Sequence, residues 1–420
     1  MSYVKTLHKY VRALAALLRA CAFAIPGAGS RAAEPIKIGF SMALTGGVAV
    51  AGKQCLLALE IWRDDVNAKG GLLGRKVELT VYDDQTNPAL TPGIYTKLLD
   101  VDKVDLLFAP YGTVPTAPIM PLVKQRGLLL MGNFSFQVNH TVHHDMWFNN
   151  LPAADAQSWF TGFFEQGQSA GAKTIAFLAA DQEFAQNLAN GAKELAQKAG
   201  LKTVYGQNYP PTTTDFSSIM RAIRAAKPDM VFVCSYPNDS VAIVRAMNEI
   251  GVGDSVKLFG GGMVGLQFTP IMESMGSALN GIVNYNSYVP GVKYPGIEEF
   301  LQRYQKKAAE EKVDPLGFYL PPFGYAMGQM LEQAVNGTKG FDQKKLAEYL
   351  HTHTMETIVG PISYNKDGEW AQSRMLMIQF RGIADKNLDQ WRQPGKQVVL
   401  YPSQYKTGTA VTPFDKARGK

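Results

Sequence analysis

From residue 34 onward, short apolar runs alternate with amphipathic stretches of helical length. No other feature of the chain limits its fold as much, because this alternation builds parallel α/β sheets. Ile36–Met42 reads as a strand. Residues 52–68 read as a helix, with Cys55, Leu59, Trp62 and Val66 on one stripe. Gly70-Gly71-Leu-Leu-Gly74 then turns the chain into 77–82, which is apolar on alternate positions. Residues 104–109, Asp105 apart, and 128–131 are short apolar runs, as expected for strands covered on both faces. The pattern restarts after Pro152, with strands expected at 174–178, 203–209, 230–234, 256–259 and 281–285. Helices such as 187–199 and 240–250 fall between them. Two successive runs predict two doubly wound parallel-sheet lobes. Later helices at 297–311, 325–335 and 343–351 need a sheet to cover. A hydrophobic fraction of 46% against 19% charged is enough for large cores. No repeat of roughly 20–50 residues is visible, which argues against a solenoid.

The formal net charge of +6 is unevenly placed. Lys5, Lys9, Arg12, Arg19 and Arg31 fall in residues 1–33, which hold no acidic side chain. The remainder carries 37 basic against 36 acidic residues. A near-neutral body has no electrostatic footprint for nucleic acid, so none is expected as a partner. The first 33 residues have a basic start, an apolar middle and a small-residue end near Ser30-Arg31-Ala32-Ala33, the order of a secretory signal. Against an amphipathic first helix of a cytosolic protein stands Pro26-Gly-Ala-Gly-Ser, which breaks any helix there. Leu18-Arg19-Ala20-Cys21 approaches a lipoprotein box, but Arg19 disfavours a lipid anchor at Cys21. No later run reaches about 18 uninterrupted apolar residues, so no membrane span is expected. An oxidising compartment permits a disulfide between Cys55 and Cys234; two buried free thiols are favoured.

Candidate chemistry is sparse. Gly260-Gly-Gly262-Met-Val-Gly265 fits GxGxxG, but no acid follows about 20 residues later to hold a ribose. The motif also follows the fourth strand of its lobe. An oxidoreductase reading therefore ranks last, and no cofactor is expected. His140, His143 and His144 cluster, and His351 and His353 form a pair. Neither group has the carboxylate or thiolate spacing of a metal site. Asp83-Asp84, beside Gln85-Thr-Asn-Pro, suits a turn better than acid–base work. A GxxxxGK[ST] phosphate loop is absent. Nothing demands an enzyme.

Four motifs in register carry a resemblance: Phe40-Ser-Met-Ala-Leu-Thr-Gly, Asn67-Ala-Lys-Gly-Gly-Leu-Leu-Gly-Arg-Lys-Val-Glu-Leu, Tyr82-Asp-Asp-Gln-Thr-Asn-Pro and Gly360-Pro-Ile-Ser-Tyr-Asn-Lys-Asp-Gly-Glu. Over about residues 36 to 400 the chain resembles the leucine/isoleucine/valine-binding protein family, the type I solute-binding proteins of ABC transporters. The resemblance implies two lobes joined by three crossovers, with a ligand cleft that closes by hinge motion. It divides the chain into a signal peptide (1–33), lobe 1 (34–153 and 286–360) and lobe 2 (154–285 and 361–420, including a C-terminal extension). The last crossing is expected near Pro361.

The resemblance also implies site residues. Thr113, in Tyr111-Gly-Thr113-Val-Pro115, is expected to present its hydroxyl and N–H to a ligand carboxylate, with Ser135 as a second donor. Phe134, Phe136, Phe184, Tyr236 and Tyr319 join Tyr111 in an aromatic lining. The acid that pairs with an amino acid's ammonium should fall within Gly260–Met263, where there is none; Met263 is the remaining side chain. Asp181 or Glu183 would have to substitute, since a buried ammonium without a partner is costly. The tyrosine expected after the first Thr-Gly loop falls near Ala51, which enlarges the pocket. The expectation is therefore a periplasmic, monomeric protein that hands a small carboxylate to an ABC permease. An aromatic acid is favoured over a branched-chain amino acid. A ligand-sensing regulator with the same bilobed fold is the alternative.

Overall fold

A computed structural model describes residues 34–419. The expected signal segment and Cys21 lie outside the described residues. The first sheet contains β1 (Ile36–Met42), β2 (Val77–Asp83), β3 (Leu106–Tyr111), β4 (Leu130–Asn133) and β5 (Trp147–Asn150), all parallel, in the order β2-β1-β3-β4-β5. Helices α1 (Ala49–Ala68), α2 (Thr91–Asp100), α3 (Thr113–Thr116), α4 (Met120–Arg126) and α5 (Asn139–Val142) fall between these strands. Every residue of β3 is buried, as its unbroken apolar run requires.

The second unit repeats the scheme. It runs α6 (Ala156–Ser169), β6 (Thr174–Ala180), α7 (Glu183–Lys198), β7 (Lys202–Tyr209), α8 (Ser217–Ala226), β8 (Met230–Ser235), α9 (Pro237–Ile250), β9 (Leu258–Met263), α10 (Thr269–Met275) and β10 (Val283–Asn286). The order β7-β6-β8-β9-β10 matches that of the first sheet strand for strand. Each sheet therefore reverses its winding beside its own first strand, where open α/β sheets leave a crevice.

The chain then returns to the first sheet. Helices α11 (Ile297–Glu311), α12 (Pro321–Thr338) and α13 (Gln343–Thr352) pack there, as the late amphipathic stretches predict. Arg303 of α11 and Tyr325 of α12 both reach Asp65 of α1 at 2.7 Å. Helices α1 and α12 meet closely because α12 has Gly328 where a Cβ would lie 2.1 Å from the Trp62 ring.

Two features depart from the expectation. The second sheet is not wholly parallel: β11 (Leu376–Phe380) and β12 (Gln397–Tyr401) add to its edge in antiparallel fashion. Antiparallel strands need no crossover helix, so this pair leaves no strand–helix alternation to read. The last crossing also comes later than Pro361. Residues 362–370 stay with the first sheet: Met355 bridges to Ile362, Gly368 O accepts from Asn149 N, and Trp370 lies beside Phe323. The passage to β11 occurs at Ser373–Arg374, where Ser373 Oγ and Arg374 N both donate to Pro152 O. Helix α14 (Phe414–Ala417) ends the described chain, with Phe414 packed on Phe259.

Candidate functional site

A cavity of ≈ 320 Å³ lies between the two sheets at the carboxyl ends of their strands. The loops after β1, β3 and β4 face those after β6, β8 and β9 across it. The N-termini of four helices meet its wall: α1 at Gly47 and Val48, α3 at Gly112 and Thr113, α7 at Gln182 and Phe184, and α9 at Tyr236 and Pro237. Each brings backbone N–H groups without intrahelical partners and a partial positive charge. Among the described residues, no lysine, arginine or histidine lines the cavity.

Six aromatic side chains line the cavity: Tyr111, Phe134 and Tyr319 from one side, and Trp159, Phe184 and Tyr236 from the other. Phe134 packs edge-on against Tyr319 at 5.2 Å, while Trp159 sits 5.8 Å from Phe184. Phe134 holds a left-handed backbone, φ 59°, which is an outlier for a bulky residue and marks strain at the wall. Burial pushes the Tyr111, Tyr236 and Tyr319 hydroxyls well above the ordinary tyrosine range, so all three are neutral donors. The Tyr236 Oη is buried with no hydrogen-bond partner among the described residues.

Ser135, Phe136 and Met263 do not line the cavity. Ser135 is fully buried; its hydroxyl is 2.8 Å from Thr116 Oγ1 and donates to Gly112 O at 3.1 Å. Phe136 lies behind the wall, 5.1 Å from Trp159. Thr113 is at the wall, but its hydroxyl accepts from Phe136 N at 3.0 Å and is 3.3 Å from Phe136 O. The hydroxyls of Thr113 and Ser135 therefore knit the loops after β3 and β4 together. The main chain at the start of α3 is what remains to donate. Met263 is fully buried and its N–H donates to Asn284 Oδ1 at 2.9 Å.

Gly260 and Gly261 lie inside β9, where a Cβ would sit 2.1 Å from Val283 O or 2.4 Å from the Phe232 ring. They permit close strand packing and do not form a phosphate loop. Ala51 is buried in α1, away from the cavity; Gly47 and Val48 make the wall there. Neither Asp181 nor Glu183 lines it either. Among the described residues the one acidic side chain in the wall is Asp239, which sequence reasoning missed. Its Oδ1 accepts from Tyr236 N at 2.9 Å and its Oδ2 accepts from the Tyr209 hydroxyl. Burial raises its pKa, and these two donors pull it back.

Trp159 was also missed. It follows an Asp155/Ser158 capping box, and that sequence signal for the start of α6 was available.

The histidines stand apart from the cavity. His144 Nε2 is 2.7 Å from Leu128 O, and His351 Nε2 is 2.7 Å from Asp145 O. His353 stacks on Tyr349. Asp83 and Asp84 shape the turn after β2, Asp83 Oδ1 accepting from Leu44 N and Gln85 N, and Asp84 Oδ2 from the Ser41 hydroxyl. Cys55 and Cys234 are free and buried, and burial pushes the Cys55 thiol up to about 12. No helix among the described residues is long and apolar enough to cross a membrane.

Comparison with known proteins agrees with this geometry. A Leu/Ile/Val-binding protein homologue of Brucella abortus is 24% identical over 395 residues, covering 90% of this chain and 94% of its own. A leucine-binding protein of Thermotoga maritima superposes with a TM-score of 0.72 at 19% identity, over 83% of this chain and 96% of its own. An R. palustris ABC-transporter solute-binding protein, solved in complex with 4-hydroxybenzoate, gives a TM-score of 0.73 at 20% identity, over 87% and 95%. The fold is that of the type I periplasmic binding proteins. The periplasmic binding protein family model matches residues 35–386, and the chain belongs to that family.

Proposed function

We propose that this chain is the substrate-binding protein of an ABC importer and captures a small aromatic carboxylate between its lobes. The observation that carries the reading is the convergence of four helix N-termini on an aromatic wall without lysine, arginine or histidine. Helix N-termini attract an anion through N–H groups and dipoles. The rings of Tyr111, Phe134, Trp159, Phe184, Tyr236 and Tyr319 suit a flat partner. The carboxylate is held by the main chain around Thr113, and the Tyr236 hydroxyl meets a polar substituent of the ligand. Ligand contacts to both lobes supply the differential affinity that drives closure. No bond is made or broken. The resemblance of residues 1–33 to a secretory signal supports export to the periplasm, and delivery to a membrane permease follows from the family's transport role.

Asp239 favours a second reading, an α-amino acid whose ammonium meets that carboxylate. Isothermal titration calorimetry separates the two. Benzoate and 4-hydroxybenzoate binding at least tenfold more tightly than leucine and phenylalanine supports the aromatic acid. The reverse order assigns the site to an amino acid and overturns the first reading.

A further inference from the structure

A second cavity, of ≈ 480 Å³, shares no residue with the first. Its wall draws on residues near the last two crossings. Lys293 and Tyr294 follow β10, Gly360–Ser363 and Trp370 belong to the stretch held against the first sheet, Arg374 marks the last crossing, and Tyr405 follows β12. The wall contains two cations, Lys293 and Arg374, and no acidic side chain.

Arg374 is the unusual member. Its guanidinium lies 4.5 Å from the Trp370 ring and 5.5 Å from that of Tyr294. Arg126 and Arg303 pair with Asp100 and Asp65, whereas Arg374 has no carboxylate partner among the described residues. Its Nη2 is buried with no acceptor. A buried charged donor without an acceptor is costly, and stacking on rings does not supply one. Gly360, at φ 81°, leaves room for the group, since a Cβ there would lie 2.5 Å from Nη1. A guanidinium in the wall of a cavity that has no acidic side chain among the described residues suits an anion.

We propose that this cavity is a second binding site, taking a small oxyanion, carboxylate or phosphate, on the Arg374 guanidinium. An anion there touches residues that precede and follow the last crossing, so its affinity differs between the open and closed arrangements. By linkage, it shifts the affinity of the interlobe cavity, and a ligand in that cavity shifts its own.

The test is thermal unfolding of the full chain in sodium phosphate, sodium acetate or sodium chloride at equal ionic strength. Phosphate or acetate is expected to raise Tm by roughly 2 °C or more over chloride. Arg374→Gln is expected to remove that rise. A rise with phosphate alone assigns the site to phosphate, and one with acetate alone assigns it to carboxylates. No rise with either, or an undiminished rise in Arg374→Gln, overturns the proposal. Should the variant not fold, crystals of the unaltered protein grown in phosphate or in acetate decide. Oxyanion density on the Arg374 guanidinium supports the site, and its absence from both removes it. These measurements involve no aromatic acid, so their failure leaves the reading of the first cavity untouched.

Discussion

Asn149 Nδ2 donates to Glu369 Oε2 at 2.8 Å, although 220 residues separate them in sequence. The same asparagine accepts from Ser135 N through Oδ1 at 3.1 Å, and the Ser135 hydroxyl holds Gly112 O. A buried acid near the last crossing is thus connected, bond by bond, to the loop that opens α3 at the cavity wall.

Burial pushes the Glu369 carboxyl up to about 8, with Asn149 as the leading opposing donor. Its folded pKa lies above the unfolded value of about 4.3. The folded state therefore binds more protons between those limits. The contribution of this group is greatest below about pH 4.3 and is lost as pH rises towards 8. Glu369→Gln should flatten the fall in Tm between pH 5 and 8, and raise Tm at pH 9 relative to the unaltered protein. Calorimetric scans at pH 5, 7 and 9 check this.

Removing the unpartnered hydroxyl with Tyr236→Phe should leave the stability of the empty protein within about 0.5 kcal/mol. Affinity for 4-hydroxybenzoate should fall about fivefold to thirtyfold, the worth of one hydrogen bond to a buried polar group. Benzoate, which lacks the phenol, should be affected less. Parallel titrations of the two acids measure the difference.

Phe184 is half-buried, meeting Trp159 edge to ring and Tyr236 at a tilt. Phe184→Ala should weaken aromatic-acid binding by tenfold or more, about 1.4 kcal/mol per decade. Its cost in stability should stay below the ~3–5 kcal/mol of a fully buried ring. Urea unfolding and calorimetry on one preparation give both numbers.

Both described thiols are shielded, and burial raises their pKa values. Cys55 and Cys234 should be inert to a thiol reagent in the folded protein and react together once urea unfolds it. Rapid native labelling at either position would show that its helix or strand opens locally.

Gly328→Leu should cost about 2 kcal/mol or more, because the new side chain enters the volume of the Trp62 ring. Loss of midpoint with an unchanged slope in urea would locate the damage in the α1–α12 contact and not in the denatured chain.

The alternation of apolar runs revealed both halves because a strand buried on two faces must be apolar along its whole length, as in β3 and β8. β5 escaped notice because half of it is asparagine, and those side chains earn burial only by bonding to Glu369, Ser135 and Phe323. β11 and β12 were hidden for another reason, since antiparallel strands joined without a crossover helix leave no strand–helix alternation to read. At the cavity, Tyr111, Thr113, Phe134, Phe184, Tyr236 and Tyr319 were legible from the family motifs. Ser135 and Thr113 had the right chemistry, but whether a hydroxyl faces inward or spends its proton on a neighbouring carbonyl depends on loop packing that no local motif records. Asp239 shows the converse: a residue that reads as an ordinary helix-start acid becomes a wall residue because its helix points at the gap.

One carbonyl, that of Pro152, receives both Ser373 Oγ and Arg374 N. Two of the connecting strands are thereby laced flank to flank, and a laced ribbon bends far more readily than it shears. Any closure of the halves about these connections would have to carry both segments together, and Ser373→Ala would take away one of the two bonds that tie them.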